Sequence, residues 1–185
     1  MADYVHNNRA EEHGLKHSAA FNKRQKKSKT KHGGGFFMHI VLYLEDDDAL
    51  REFTSNQLRA RGWIVEDFKR IDQVKEFFTE HFNEIACIIT DLNMPDEWLN
   101  EHQHKSKGKM ISGWIMLQEY IYTVTPTMPT IIYSGYISYL EEKLNEERKM
   151  SLLNKYHILR VGKGSREDEG FSGLQNALVK LNINP

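Results

Sequence analysis

The sequence predicts a doubly wound α/β domain, and three observations carry that expectation. From about Phe36 onward, short apolar runs alternate with longer amphipathic stretches, five times over. The best of these runs are apolar throughout, as strands are when helices cover both faces of a parallel sheet. The roughly 150 residues involved amount to a single domain with room for one sizeable core.

In chain order, His39 to Leu44 reads as the first strand. A helix from about Asp48 to Arg61 follows, with Leu50, Phe53 and Leu58 on one face and Gly62 as its stop. Trp63 to Phe68 is a weaker, edge-like second strand, and Asp72 to His81 a second helix turning Val74, Phe77 and Phe78 inward. Ile85 to Thr90 is a fully apolar third strand, and Ser112 to Tyr122 the next helix. Thr130 to Tyr133, flanked by Pro126 and Pro129, is the fourth strand; Ser138 to about Leu153 reads as one long helix bearing Leu140 and Leu144. His157 to Val161 is the fifth strand, and Phe171, Leu174, Leu178 and Leu181 recur at helical spacing in a last helix.

The formal net charge of −1 hides a division of the chain. Residues 1–37 hold eight Lys and Arg against three acids, and residues 38–185 hold 17 against 23. The first part contains Lys23-Arg24-Gln25-Lys26-Lys27-Ser28-Lys29-Thr30-Lys31 and then Gly33-Gly34-Gly35, which predicts a disordered basic arm with a flexible joint. Such an arm can hold nucleic acid or an anionic membrane surface by counterion release, or fold back on the acidic body; the bland reading is a solvated extension, with Met38 as an internal start. No recognition helix, zinc module or RNA-binding motif accompanies it, so sequence-specific DNA readout is not expected. His6, His13, His17 and His32 are too irregularly spaced for a metal site. No stretch has the roughly 20 apolar residues of a membrane span and none reads as a secretion signal, so a cytoplasmic protein without membrane insertion is expected. The single cysteine, Cys87, excludes an intrachain disulfide and a thiolate zinc cage, and its apolar neighbours predict a buried small hydrophobe.

In a doubly wound sheet, functional groups gather outside the carboxyl ends of the strands. Here the first strand ends in Glu45-Asp46-Asp47-Asp48, the third in Asp91, the fourth in Ser134, and the fifth shortly before Lys163. Carboxylates brought together repel unless a cation sits between them, and a hard divalent ion, Mg²⁺ above all, suits such a cluster. A carboxylate can accept a phosphoryl group as nucleophile while a lysine and a hydroxyl meet the transferred oxygens. Asp91 is the candidate nucleophile. Taken singly, Asp91 also reads as a turn former, Glu45 to Asp48 as acids favoured by a helix dipole, and Lys163 as a surface group. Their joint occurrence at the strand ends favours the chemistry.

These residues resemble the receiver domain of two-component response regulators. The likeness rests on Ile40-Val41-Leu42-Tyr43-Leu44-Glu45-Asp46-Asp47, Thr90-Asp91-Leu92-Asn93-Met94-Pro95, Ile131-Ile132-Tyr133-Ser134-Gly135 and Val161-Gly162-Lys163, and runs from about residue 38 to the C-terminus. It implies a flavodoxin-like (βα)5 fold with a five-stranded parallel sheet in the order 2-1-3-4-5 and helices on both faces. It further implies that Asp91 takes a phosphoryl group from a histidine kinase or phosphotransfer protein, and that Glu45, Asp46, Asp91 and the backbone carbonyl of Asn93 hold Mg²⁺. Ser134 would bond a phosphoryl oxygen and swing inward on activation, and Lys163 would pair with the phosphate. The protein would then be a single-domain phosphoacceptor switch rather than an enzyme, with output through a partner protein.

The chain departs from that pattern in several places. The family usually has a Gly about four residues beyond its Met-Pro pair, whereas Gly113 stands eighteen residues beyond Pro95, so an insertion at about 96–111 is expected, carrying His102 and His104. Two imidazoles alone make a weak metal site, and a solvated loop used in partner recognition is the reading preferred. Gly164 follows Lys163 where the family has a proline, which predicts a less rigidly aimed lysine. Arg160 occupies the position of the usual aromatic switch residue, unless Tyr133 or Tyr136 takes that part. Tyr136, two residues after Ser134, should obstruct water and lengthen the life of a phosphoform. A phosphorylation-independent interaction module is the alternative function. An aspartyl phosphatase would want a second acid where Asn93 stands. Homodimerisation through the fourth and fifth helices and strands is open, since Glu141, Glu142, Glu146 and Glu147 also suit a solvated face.

Overall fold

The computed structural model describes residues 39–95, 111–164 and 167–185. The basic arm 1–37 and almost all of the inserted segment, with His102 and His104, lie outside the described residues. Five strands, β1 (Ile40–Leu44), β2 (Ile64–Phe68), β3 (Ile85–Thr90), β4 (Thr130–Ser134) and β5 (Ile158–Gly162), form one parallel sheet in the order β2-β1-β3-β4-β5. Around it run α1 (Asp48–Arg59), α2 (Ile71–His81), α3 (Ser112–Met116), α4 (Tyr122–Val124), α5 (Ile137–Glu146), α6 (Ser151–Lys155) and α7 (Glu167–Lys180). The fold and strand order are those expected. Among the described residues, no helix is long and apolar enough to cross a membrane.

Strand side chains alternate between two buried layers, as period-two geometry requires. Leu42, Leu44, Ile88 and Ile132 pack with Val74 and Phe78 of α2, with α3 and with Leu140 and Leu144 of α5. Val41, Tyr43, Cys87, Ile89, Ile131 and Tyr133 pack on the other face with Leu58 of α1 and with Phe171, Leu174 and Leu178 of α7. Cys87 is fully buried, and burial pushes its thiol well above the ordinary range, which leaves it an inert hydrophobe. Ile111, expected to belong to a solvated loop at about 96–111, is instead buried in the first layer.

Two helices differ from expectation. The one beginning at Ser112 passes through a π-helical turn, Leu117–Ile121, before α4. The wider turn buries Leu117, Ile121 and Tyr122 together and brings the Tyr120 hydroxyl to the Lys75 carbonyl of α2 at 3.1 Å. The long helix expected from Ser138 to about Leu153 is instead broken. Arg148 adopts φ 55°, and the amides of Arg148 and Lys149 bond back to the carbonyls of Asn145 and Leu144 at 3.0 and 2.7 Å, a Schellman closure. Residues 145–150 are all exposed, so no apolar face holds the helix to the sheet there, and α6 restarts to bury Leu153. Gly62, by contrast, ends α1 as expected, at φ 97°.

A left-handed conformation costs an ordinary L-residue about 1–2 kcal/mol, part of which a glycine returns as unfolded-state entropy. Arg148→Gly should therefore stabilise the fold by about 0.5–1 kcal/mol, measured as a higher midpoint in urea with an unchanged slope. A lower midpoint would show that Arg148 makes a contact worth more than the strain.

Candidate functional site

The central strands β1 and β3 run side by side, buried on both faces, and deliver their following residues to one edge of the sheet. The first amides beyond the ladder stay tied to it: Glu45 N–H bonds to the Phe68 carbonyl at 3.0 Å, and Asp91 N–H to the Leu44 carbonyl at 2.9 Å. Glu45, Asp46 and Asp91 converge so that one oxygen from each lies within 4.8 Å of the others. Glu45 is 1% exposed and Asp91 5%.

The acidic run after β1 is divided between tasks. Asp47 accepts from the Leu50 amide at 3.0 Å and caps α1, while Asp48 pairs with Arg51 and with Lys69, the latter at 2.7 Å. The helix-dipole reading of this run therefore holds for its second half and not for its first.

Lys163, on the segment after β5, reaches across the edge. Its Nζ lies 2.7 Å from Glu45 Oε2 and 2.8 Å from Asp91 Oδ2, and its backbone N–H donates to the Ser134 carbonyl at 3.3 Å. Asp91 Oδ1 accepts from the Leu92 amide at 2.6 Å, and Glu45 Oε1 from the Asp47 amide at 3.3 Å. The buried Ser134 Oγ accepts from the Tyr136 amide at 3.1 Å. Asn93 sits half-buried on the turn after Asp91.

Burial pushes the Glu45 carboxyl up to about 7; Lys163 pulls against this, and Asp91 adds to it. Burial, followed by the charge of Asp91, also raises Asp46. Burial opposes the charge on Lys163, but the pull of Asp91 and Glu45 exceeds it and raises the ammonium above its usual range. Three carboxylates around one point are hard oxygen donors that fit a divalent cation such as Mg²⁺.

Several contributors were not read from the sequence. The Tyr43 hydroxyl donates to Glu45 Oε2 at 3.2 Å; the i, i+2 spacing on one strand was the signal that could have shown it. Arg51 donates from Nη1 to the Glu45 carbonyl at 3.0 Å from one turn into α1. Ser112 ties the start of α3 to the turn after Asp91, its Oγ accepting from the Met94 amide and lying 2.7 Å from the Met94 carbonyl and 3.1 Å from that of Leu92. Next to it, a Cβ on Gly113 would fall 1.9 Å from the Asp91 carbonyl oxygen, so only glycine lets α3 approach so closely. Of the switch candidates, Arg160 is exposed and paired with Glu141, Tyr136 is 41% exposed, and Tyr133 is buried with its ring beneath Lys163.

No family model matches the sequence and no curated protein matches it. Solved structures do. A response regulator receiver domain protein from Clostridium thermocellum is 21% identical, with a TM-score of 0.53 over 78% of this chain and 98% of that one. A CheY-like receiver domain protein from Methanospirillum hungatei is 19% identical, with a TM-score of 0.54 over 78% of this chain and 97% of that one. The response regulator TrrA from Thermotoga maritima, solved in complex with Mg(2+)-BeF, is 21% identical, with a TM-score of 0.52 over 78% of this chain and 99% of that one. The chain has the fold of response regulator receiver domains.

Glu45 loses its proton near pH 7 in the folded state and near 4.5 when unfolded, so the folded state holds the extra proton between those values. Its contribution to stability therefore falls as pH rises through that window. In chelator, the melting midpoint of Glu45→Gln should decline less steeply from pH 5 to pH 8 than that of the unaltered protein. Equal slopes would remove Glu45 as the source.

Proposed function

We propose that this protein is a phosphoacceptor switch of the two-component type. It receives a phosphoryl group on Asp91 from a histidine kinase or phosphotransfer protein, in an Mg²⁺-dependent reaction, and signals through a partner protein. The observation that carries this reading is the meeting of Glu45, Asp46 and Asp91 within 4.8 Å with Lys163 Nζ 2.8 Å from Asp91. The fold shared with receiver domains supports it, and the Mg(2+)-BeF complex of the Thermotoga protein supports the choice of ion.

In this reading a carboxylate oxygen of Asp91 attacks phosphorus; the O–P bond forms as the N–P bond of the donor phosphohistidine breaks, and the imidazole leaves and takes up a proton. Glu45, Asp46, Asp91 and the Asn93 carbonyl hold Mg²⁺, which when bound offsets the charge of the phosphoryl oxygens. Lys163, with its Nζ 2.8 Å from Asp91 Oδ2, supplies a second positive charge. Ser134 exchanges the Tyr136 amide for a phosphoryl oxygen, and that movement biases the segment after β4 between two states.

Incubation with acetyl phosphate and Mg²⁺ should add one phosphate per chain, seen in the intact mass. Asp91→Asn and excess chelator should each abolish it. A folded wild-type chain that takes up no phosphate would leave the phosphorylation-independent interaction module as the better reading, and fast multiple turnover would point to a hydrolase. Tyr136 stands two residues after Ser134, with its backbone amide on the Ser134 hydroxyl and its side chain 41% exposed. Tyr136→Ala should accelerate loss of phosphate several-fold in a chase without donor, and an unchanged or slower rate would show that the ring does not screen the acyl phosphate.

A further inference from the structure

Lys163 is followed by Gly164 rather than by a residue that stiffens the loop, yet its ammonium meets two carboxylates at 2.7 and 2.8 Å. Something other than the loop's own rigidity aims it. Three contacts converge on the segment. The Tyr133 ring, 1% exposed, lies with its centroid 5.9 Å from Lys163 Nζ. Gly170, in the first turn of α7, comes so close that a Cβ there would stand 2.7 Å from the Tyr133 hydroxyl, 2.9 Å from the Gly164 amide nitrogen and 3.4 Å from Lys163 Cα. One turn on, a Cβ at Gly173 would stand 3.0 Å from Val161 Cγ1, so α7 lies hard against β5 and the lysine segment together.

We propose that Tyr133 and Gly170 are the positioning pair for Lys163. Tyr133 is a strut whose ring supports the ammonium and whose hydroxyl end reaches the face of α7, and Gly170 is the gap that lets the backbone of Lys163 and Gly164 seat there. The inference rests on the proposed role of Lys163 at the phosphoryl group, and it adds how this chain holds that lysine. A side chain at position 170 meets a backbone nitrogen, which cannot swing aside as a side-chain tip can, so the lysine segment must lift. An alanine in a helix ordinarily stabilises it relative to glycine, so a local loss at this site would run against propensity.

The test reads the lysines one at a time in the full chain. An N-hydroxysuccinimide ester labels accessible amines, and mass spectrometry follows each residue. Lys163 and Lys143 have side chains 20% and 18% exposed, and each is ion-paired, so Lys143 of α5 reports general loosening of the fold. In Gly170→Ala, labelling of Lys163 should rise several-fold with Lys143 unchanged, and Tyr133→Leu, which keeps an apolar side chain in the core, should do the same. Unchanged labelling of Lys163 in both variants overturns the proposal, as does a parallel rise at Lys143 in both. Phosphate uptake by the unaltered chain is scored separately. If it fails, the switch reading fails while the labelling still decides whether Lys163 is aimed by this pair. If uptake occurs and labelling does not change, the switch stands and the positioning pair does not.

Discussion

Buried like charges organise this molecule. Glu45 and Asp91 leave water almost entirely, and Asp46 joins them at the same edge of the sheet. Removing carboxylates from water costs several kcal/mol each unless charge and hydrogen bonds replace the solvent. Lys163 supplies the charge, and the amides of Asp47 and Leu92 with the Tyr43 hydroxyl supply the bonds. The compensation is incomplete, which is why Glu45 gives up its proton only at about 7. A site with unbalanced negative charge is one that a divalent cation or a change of charge on Asp91 can reset, and the proposed switch uses that imbalance.

The scaffold is arranged so that this edge stays in register. β1 and β3 are the central strands, and their first residues beyond the ladder remain bonded to a neighbouring strand. Around them, local devices fix each approach: Arg51 on the Glu45 carbonyl, Ser112 on the Met94 amide, Gly113 against the Asp91 carbonyl, and Gly170 against the lysine segment. None of these reaches the reacting position in the proposed chemistry. Each sets where a charged group sits.

The order and type of the elements were legible because the apolar runs are short, dense and separated by stop signals such as Gly62. The convergence of Glu45, Asp46, Asp91 and Lys163 followed from the rule that strand ends collect function, once the strands were assigned. The misreadings have physical causes. Apolar periodicity carried the fourth helix through residues 145–150, although a run of exposed residues has no packing to hold a helix and Arg148 could turn left-handed there. Similarly, the helix from Ser112 hides its π turn, because an extra residue per turn is decided by what must be buried together and not by local propensity.

The sequence by itself determined the five-fold alternation, the acidic and basic residues at the strand ends, and the single buried thiol, because these depend on residue type and on spacing along the chain. Tertiary structure decided how the acids divide, with Glu45 and Asp46 turned to Asp91 while Asp47 and Asp48 serve the start of α1. It also decided that Lys163 pairs with both Glu45 and Asp91, and that Tyr133 lies beneath it against Gly170. The ion pairs are 2.7 and 2.8 Å long and the Tyr133 ring lies 5.9 Å from the ammonium, between groups far apart in sequence that only the packed sheet and helices bring together.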